Sequence, residues 1–139
     1  MGQAIREVMT PNPVTVEPST SAADAARRMR ETDAGAMLVC EGDQLRGLVT
    51  DRDIVVRAVA DGRDPAQVQV REFCSADVEA LGPDDDVDRA IKLMRDRHVR
   101  RVPVVEGGRP VGIVSIGDLA LVRDQTSALA DISGAPANT

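Results

Sequence analysis

A hydroxyl and a carboxylate stand three positions apart twice in this chain, each time at the end of a glycine-led apolar run. The two segments are Gly47-Leu48-Val49-Thr50-Asp51-Arg52-Asp53 and Gly112-Ile113-Val114-Ser115-Ile116-Gly117-Asp118. Ser/Thr-x-x-Asp is the pattern of a helix capping box, in which the hydroxyl accepts from an amide one turn on and the acid turns back to the cap. The same pair suits a vicinal diol. An ionised aspartate accepts two hydrogen bonds, a cis-diol such as ribose offers two, and a helix start beside it favours an anionic group. The two uses are compatible, because capping geometry can itself present the clamp.

Other chemistry-bearing residues are less well placed. His98 has no nucleophile or carboxylate set beside it in sequence and reads as a surface or hydrogen-bonded histidine. Asp84, Asp85 and Asp86 read as a solvated helix start, where negative charge complements the helix dipole. Cys40 and Cys74 lack metal-ligand spacing and are expected as two free buried thiols, so no metal site is expected. No nucleophilic triad, phosphate-cradling loop or metal motif appears, and the chain is not expected to be an enzyme.

The two motifs belong to a longer repeat. Shifted by 65 positions, the chain lies on itself without a gap. Positions 14–53 against 79–118 give 10 identical pairs in 40, among them Pro18 with Pro83, Met29 with Met94, Gly47 with Gly112 and Asp53 with Asp118. A repeat of this length is longer than a solenoid unit and small for a roomy independent domain, so two units are expected to share one core and leave equivalent clefts.

Each repeat reads as strand, helix, strand, strand, helix. Val14–Val16 is the first strand, and Ser19, Thr20 or Ser21 can cap a helix with an apolar stripe of Ala22, Ala25, Ala26 and Met29. Ala36–Cys40 and Leu45–Thr50 pair across a turn, and Asp51–Ala60 is the second helix. The second copy runs from a strand at Val78–Leu81 through a helix from about Asp84 to Arg97. Strands at Arg101–Val105 and Val111–Ser115 then lead to a last helix at Ile116–Arg123. This divides the chain into a first repeat at 5–61, a linker and lead-in at 62–77, a second repeat at 78–123 and a poorly ordered tail at 124–139. Within the linker, Val70-Arg71-Glu72-Phe73-Cys74-Ser75 echoes Ile5-Arg6-Glu7-Val8-Met9-Thr10.

Composition narrows the partners. Phe73 is the sole aromatic ring, which removes the stacking platforms usual for single-stranded nucleic acid, and a net charge of −6 opposes general phosphate-backbone binding. Nucleic acid is therefore an unfavoured partner. No apolar run reaches the roughly 20 residues of a membrane span, and no signal-peptide pattern opens the chain, so the cytoplasm is the expected location and a membrane is not an expected partner.

With these motifs in hand, the chain resembles a known family. The GLVTDRD and GIVSIGD segments, the VMTPNPVTV opening and HVRRVPVVEGGRPVGIVS look like a pair of cystathionine-β-synthase (CBS) domains, over roughly residues 5–122. The resemblance implies an α+β fold of two βαββα repeats packed pseudo-symmetrically through their sheets. It also implies a regulatory module, in the manner of small bacterial two-CBS proteins, that binds AMP, ADP, ATP or S-adenosylmethionine between the repeats. No cofactor is then required, and the ligand is an adenosyl small molecule. On this resemblance the ribose is held by Ser115 with Asp118, or by Thr50 with Asp53. Adenine would lie near Thr10, Val14 and Val16, and phosphate would meet Arg100 and Arg101. The first repeat has Gly35 and Ala36 opposite those arginines, so the Ser115–Asp118 site is the favoured one. The alternative is a structural dimerisation or protein-interaction module with vestigial clefts. A homodimer is expected, through Ile54, Val55, Leu119 and Leu121, together with an effector protein that the residues do not name.

Overall fold

The structure, a computed structural model, describes residues 2–76 and 78–123, with the side chains of Val122 and Arg123 excepted. The expected tail at 124–139 lies outside the described residues. Two α+β units emerge, each with its own three-stranded sheet and core. One comprises Pro13–Val78. The other comprises the segment up to Asn12 and the chain from Glu79 onward.

In the Pro13–Val78 unit the sheet order is β2-β3-β4, from strands β2 (Thr15–Val16), β3 (Ala36–Glu41) and β4 (Gln44–Thr50). β2 runs parallel to β3, and β3 pairs antiparallel with β4. Helix α1 (Ala22–Thr32) starts at Ser21, whose hydroxyl accepts from the Asp24 amide at 3.1 Å. Ala22, Ala25 and Met29 enter the core with Val39, Val49 and Phe73, whereas Ala26 is exposed. The stripe is thus narrower than its spacing suggests, because Ala26 lies a turn-fraction round from the buried edge.

The helix expected at Asp51–Ala60 is not a regular α-helix. Asp51–Asp53 (α2) is α-helical and Ile54–Val59 continues as a π-helical turn. The Ala60 amide reaches back five residues to the Val55 carbonyl at 2.9 Å. The wide turn keeps Ile54 and Ala58 buried and leaves Val55, Val56 and Val59 exposed. Beyond it, Val68 and Val70 return to the same core.

The other unit has the order β1-β6-β5, from β1 (Thr10–Pro11), β5 (Arg101–Glu106) and β6 (Arg109–Ser115). The hairpin between β5 and β6 turns at Gly107 and Gly108, with φ of 60° and 81°, left-handed values that suit glycine. The strand expected at Val78–Leu81 reduces to a single bridge between Leu81 and Val104. Helix α3 (Val87–Arg97) begins later than expected. Asp84, Asp85 and Asp86 precede it: Asp86 is the cap, accepting from Asp88, and Asp85 accepts from the Gly82 amide at 2.7 Å. Carboxylates compete with the backbone for amides, so they stop the helix upstream instead of filling its first turn. Helix α4 (Ile116–Arg123) closes the unit.

The 65-residue repeat is visible at the level of single bonds. A short 3-10 turn at Ile5–Glu7 packs in the unit of the second repeat, and its counterpart at Val70–Glu72 packs in that of the first. The Ile5 and Arg6 amides donate to the Asp85 and Pro83 carbonyls, and the Val70 and Arg71 amides to those of Thr20 and Pro18. Likewise Val87 donates to Gln3 and Ala22 to Val68. Each lead-in turn therefore belongs to the unit of the repeat it does not introduce. Bulges fall at Val39/Cys40 and at Val104/Val105, again 65 apart.

Candidate functional site

Both motif strands run straight into helix starts, and both form the full capping box. Asp53 donates its amide to Thr50 Oγ1 at 3.1 Å while its Oδ2 accepts from the Thr50 amide at 2.9 Å. Asp118 and Ser115 repeat the arrangement at 3.2 and 2.8 Å. In each aspartate Oδ1 has no hydrogen-bond partner among the described residues, and both residues are half-buried. The boxes thus hold a carboxylate at a fixed orientation with one oxygen left to accept from a ligand.

The glycine that opens each motif has a packing cause. A methyl group at position 47 would lie 2.7 Å from the Ser75 carbonyl oxygen and 3.1 Å from Cys74 Sγ. At position 112 it would collide with Met9 Sδ and lie 3.0 Å from the Thr10 carbonyl oxygen. The lead-in segments press on these strands: Leu48 and Ser75 exchange backbone bonds at 3.0 Å, and Thr10 pairs with Ile113. Met9 and Cys74 are 65 apart, so the same contact is made twice. Sequence reading did not single out Met9, Cys74 or Ser75 for this role; the only signal was the echo between the two lead-ins.

The candidate residues divide between the units. Thr10, Arg100, Arg101, Ser115 and Asp118 share one. Arg101 stands opposite Ser115 across the β5–β6 ladder, and the Ile116 amide donates to the Arg100 carbonyl at 2.9 Å. Arg100 is exposed, Arg101 is half-buried, and neither has an ion-pair partner among the described residues. Arg97, nearby in sequence, pairs with Glu79. Val14, Val16, Thr50 and Asp53 share the other unit. Val16 pairs with Val39, Val14 accepts from the Leu38 amide, and Ala36 stands opposite Thr50. Thr10 is therefore grouped with the second motif, and Val14 and Val16 with the first.

Both thiols are free, Cys40 buried and Cys74 half-buried. Burial pushes each up from the ordinary thiol value, with Asp43 adding to the effect at Cys40 and Asp53 at Cys74. His98 caps α3 in a left-handed conformation, exposed to solvent. Among the described residues no group of three or more His, Cys, Asp or Glu is placed to hold a metal ion. None of the described helices is long and apolar enough to cross a membrane.

Two α+β repeats, each ending its last strand in a hydroxyl–carboxylate box and each completed by the other's lead-in, define a tandem-repeat module. The CBS domain family model matches residues 5–59 and 70–124, and the chain belongs to that family as a tandem CBS pair, a regulatory module. The CBS domain-containing protein YhcV of Bacillus subtilis is 37% identical over 118 residues, covering 85% of this chain and 84% of that protein. Hypoxic response protein 1 of Mycobacterium tuberculosis is 34% identical over 116 residues, covering 83% of this chain and 81% of its own. The crystal structure of Hypoxic Response Protein I, which holds two coordinated zinc ions, matches with a TM-score of 0.77 over 85% of this chain and 97% of that one. The CBS pair of protein MJ0100, in complex with 5′-methylthioadenosine and S-adenosyl-L-methionine, has a TM-score of 0.81 at 22% identity over 91% of this chain and all of that one. At that identity the match speaks for the fold alone.

Proposed function

We propose that this CBS pair senses an adenosyl ligand, with Ser115 and Asp118 holding the ribose and Arg100 and Arg101 meeting its phosphate. The observation that carries this reading is the Ser115–Asp118 box, with Asp118 Oδ1 unengaged and neither Arg100 nor Arg101 ion-paired among the described residues, the two arginines lying at the adjoining strand start. A guanidinium–phosphate contact is charge-assisted and stronger than a neutral hydrogen bond. Thr50 and Asp53 form an equal box, but Gly35 and Ala36 stand where the arginines would be, so this second site lacks a phosphate donor on that strand. Thr10 joins the Ser115 site, and Val14 and Val16 the Thr50 site, as adenine neighbours.

Thermal denaturation with AMP, ADP, ATP and S-adenosylmethionine on wild type and Asp118→Ala tests it. A ligand at about 100 times its Kd adds about 2.7 kcal/mol, a clear upward shift in Tm. Stabilisation by one adenosyl compound, lost in Asp118→Ala and kept in Asp53→Ala, is the expected result. No shift with any of the four at millimolar concentration would overturn it.

A second reading, a homodimeric interaction module, draws on the exposed apolar side chains. Val55 (58% exposed), Val56, Val59, Ile116 (55%) and Leu121 stand out from the second helix of each repeat. Of the four residues first expected at a dimer face, Ile54 and Leu119 are instead 7% and 4% exposed and belong to their own units' cores. Sedimentation as a monomer at micromolar concentration would count against this reading.

A further inference from the structure

Met9 fills the space that a side chain at position 112 would occupy, three residues before Ser115 on the same strand. Its neighbour Thr10 is paired with Ile113, and Pro11 with Gly112. Met9 packs against the core formed by Leu81, Val87, Val102 and Val114, the core that carries the second motif. We propose that Met9 is a positioning residue for the Ser115–Asp118 clamp, so that the amino-terminal lead-in controls the site of the second repeat and not that of the first. The lead-in seats β6 on one side while the capping box fixes its end on the other. Loosening the first frees the strand that delivers the Ser115 hydroxyl opposite Arg101. The Thr50–Asp53 box answers instead to the Cys74–Ser75 contact on Gly47.

For the binding consequence the inference rests on the ligand reading above, but the positioning can be read without any ligand. Amide hydrogen exchange by NMR reports the Ser115 and Asp118 amides, both of which donate or close the box, against those of Thr50 and Asp53 as an internal control. Met9→Ala is expected to speed exchange at Ser115 and Asp118 at least tenfold and to leave Thr50 and Asp53 within twofold. Met9→Leu, which refills the space, restores protection. Gly112→Ala repeats the loss, and Met9→Ala combined with Gly112→Ala recovers part of it, because the new methyl group then occupies vacated space. Equal acceleration in both boxes, or none at Ser115 and Asp118, would overturn the proposal. Calorimetry with AMP forms the second arm, in which Met9→Ala weakens binding at least fivefold. If wild type binds none of AMP, ADP, ATP and S-adenosylmethionine, the ligand reading falls, and the exchange ratio still decides whether Met9 positions the box.

Discussion

Asp53 and Asp118 each spend one oxygen on the backbone and, among the described residues, keep the other, the division on which the proposed clamp rests. Neither residue is free to swing, since its partner amide belongs to the hydroxyl residue it would act with. The residues that end α1 and α3 obey a different constraint. Asp33 and His98 sit at φ of 53° and 55°, and the next amides, of Ala34 and Val99, return to Met29 and Met94 at 3.1 Å. That closing bond needs a left-handed residue, for which glycine has no Cβ penalty. His98→Gly is therefore expected to raise stability by up to about 1 kcal/mol. Chemical denaturation of the two proteins measures it, and a loss of stability would mean that the imidazole makes a contact worth more than the relieved strain.

The lead-in turns are the elements on which each unit depends. Glu72 closes the Val70–Glu72 turn, accepting from the Gln69 amide at 2.8 Å and pairing with Arg63. The amide bond first, and then Arg63, hold its carboxyl below the ordinary glutamate range. A depressed carboxyl contributes stability above the unfolded value of about 4.3, and the contribution is lost as pH falls through the lower folded value. Between pH 5 and pH 3, wild type should lose more thermal stability than Glu72→Gln. Equal losses would place the acid sensitivity elsewhere. Glu7 makes the matching bond to Ala4 at 2.9 Å, yet Arg6 there pairs with Asp84 and Glu106, so the two turns share a backbone design and differ in their salt links. Such exposed pairs contribute little by themselves. The second helices differ more. β-branched Val55 and Val56 crowd a helical turn, and the π-helical stretch sits where they do, while α4 runs as a regular helix.

At the scale of the whole molecule, stability is partitioned against the order of the chain. Ile5 is fully buried, but in the core built from Leu81, Val87, Ala90 and Met94. Truncating it to alanine should cost about 2–5 kcal/mol, the usual range for such a cavity. Exchange protection should fall first across residues 79–123, seventy or more positions away, before it falls across 13–78. A first loss in the neighbouring residues 13–61 would contradict the exchange of lead-ins. The same partition gives the two candidate sites separate supports, one from the amino-terminal segment and one from the segment around Cys74.

Much of this architecture was legible in the residues. The 65-residue repeat follows from internal similarity, and the paired strands and the two hydroxyl–carboxylate boxes from short-range rules: alternation, capping chemistry and turn glycines. These act within a few positions, and the chain carries them twice. The start of α3 is not legible in the same way, because three aspartates suit a helix start equally well inside or just before it, and only the Gly82 and Asp88 amides show which occurs. The π-helical turn has an apolar spacing close to that of an α-helix, so the residues alone do not distinguish the two. Other features belong to the tertiary structure alone. That Thr10 joins Ser115 while Val14 and Val16 join Thr50, and that Gly112 is small because Met9 lies on it, depend on contacts between residues up to a hundred positions apart. No local preference encodes those contacts; burial of Ile5 and Val70 in the two cores, and the backbone bonds around them, hold them in place.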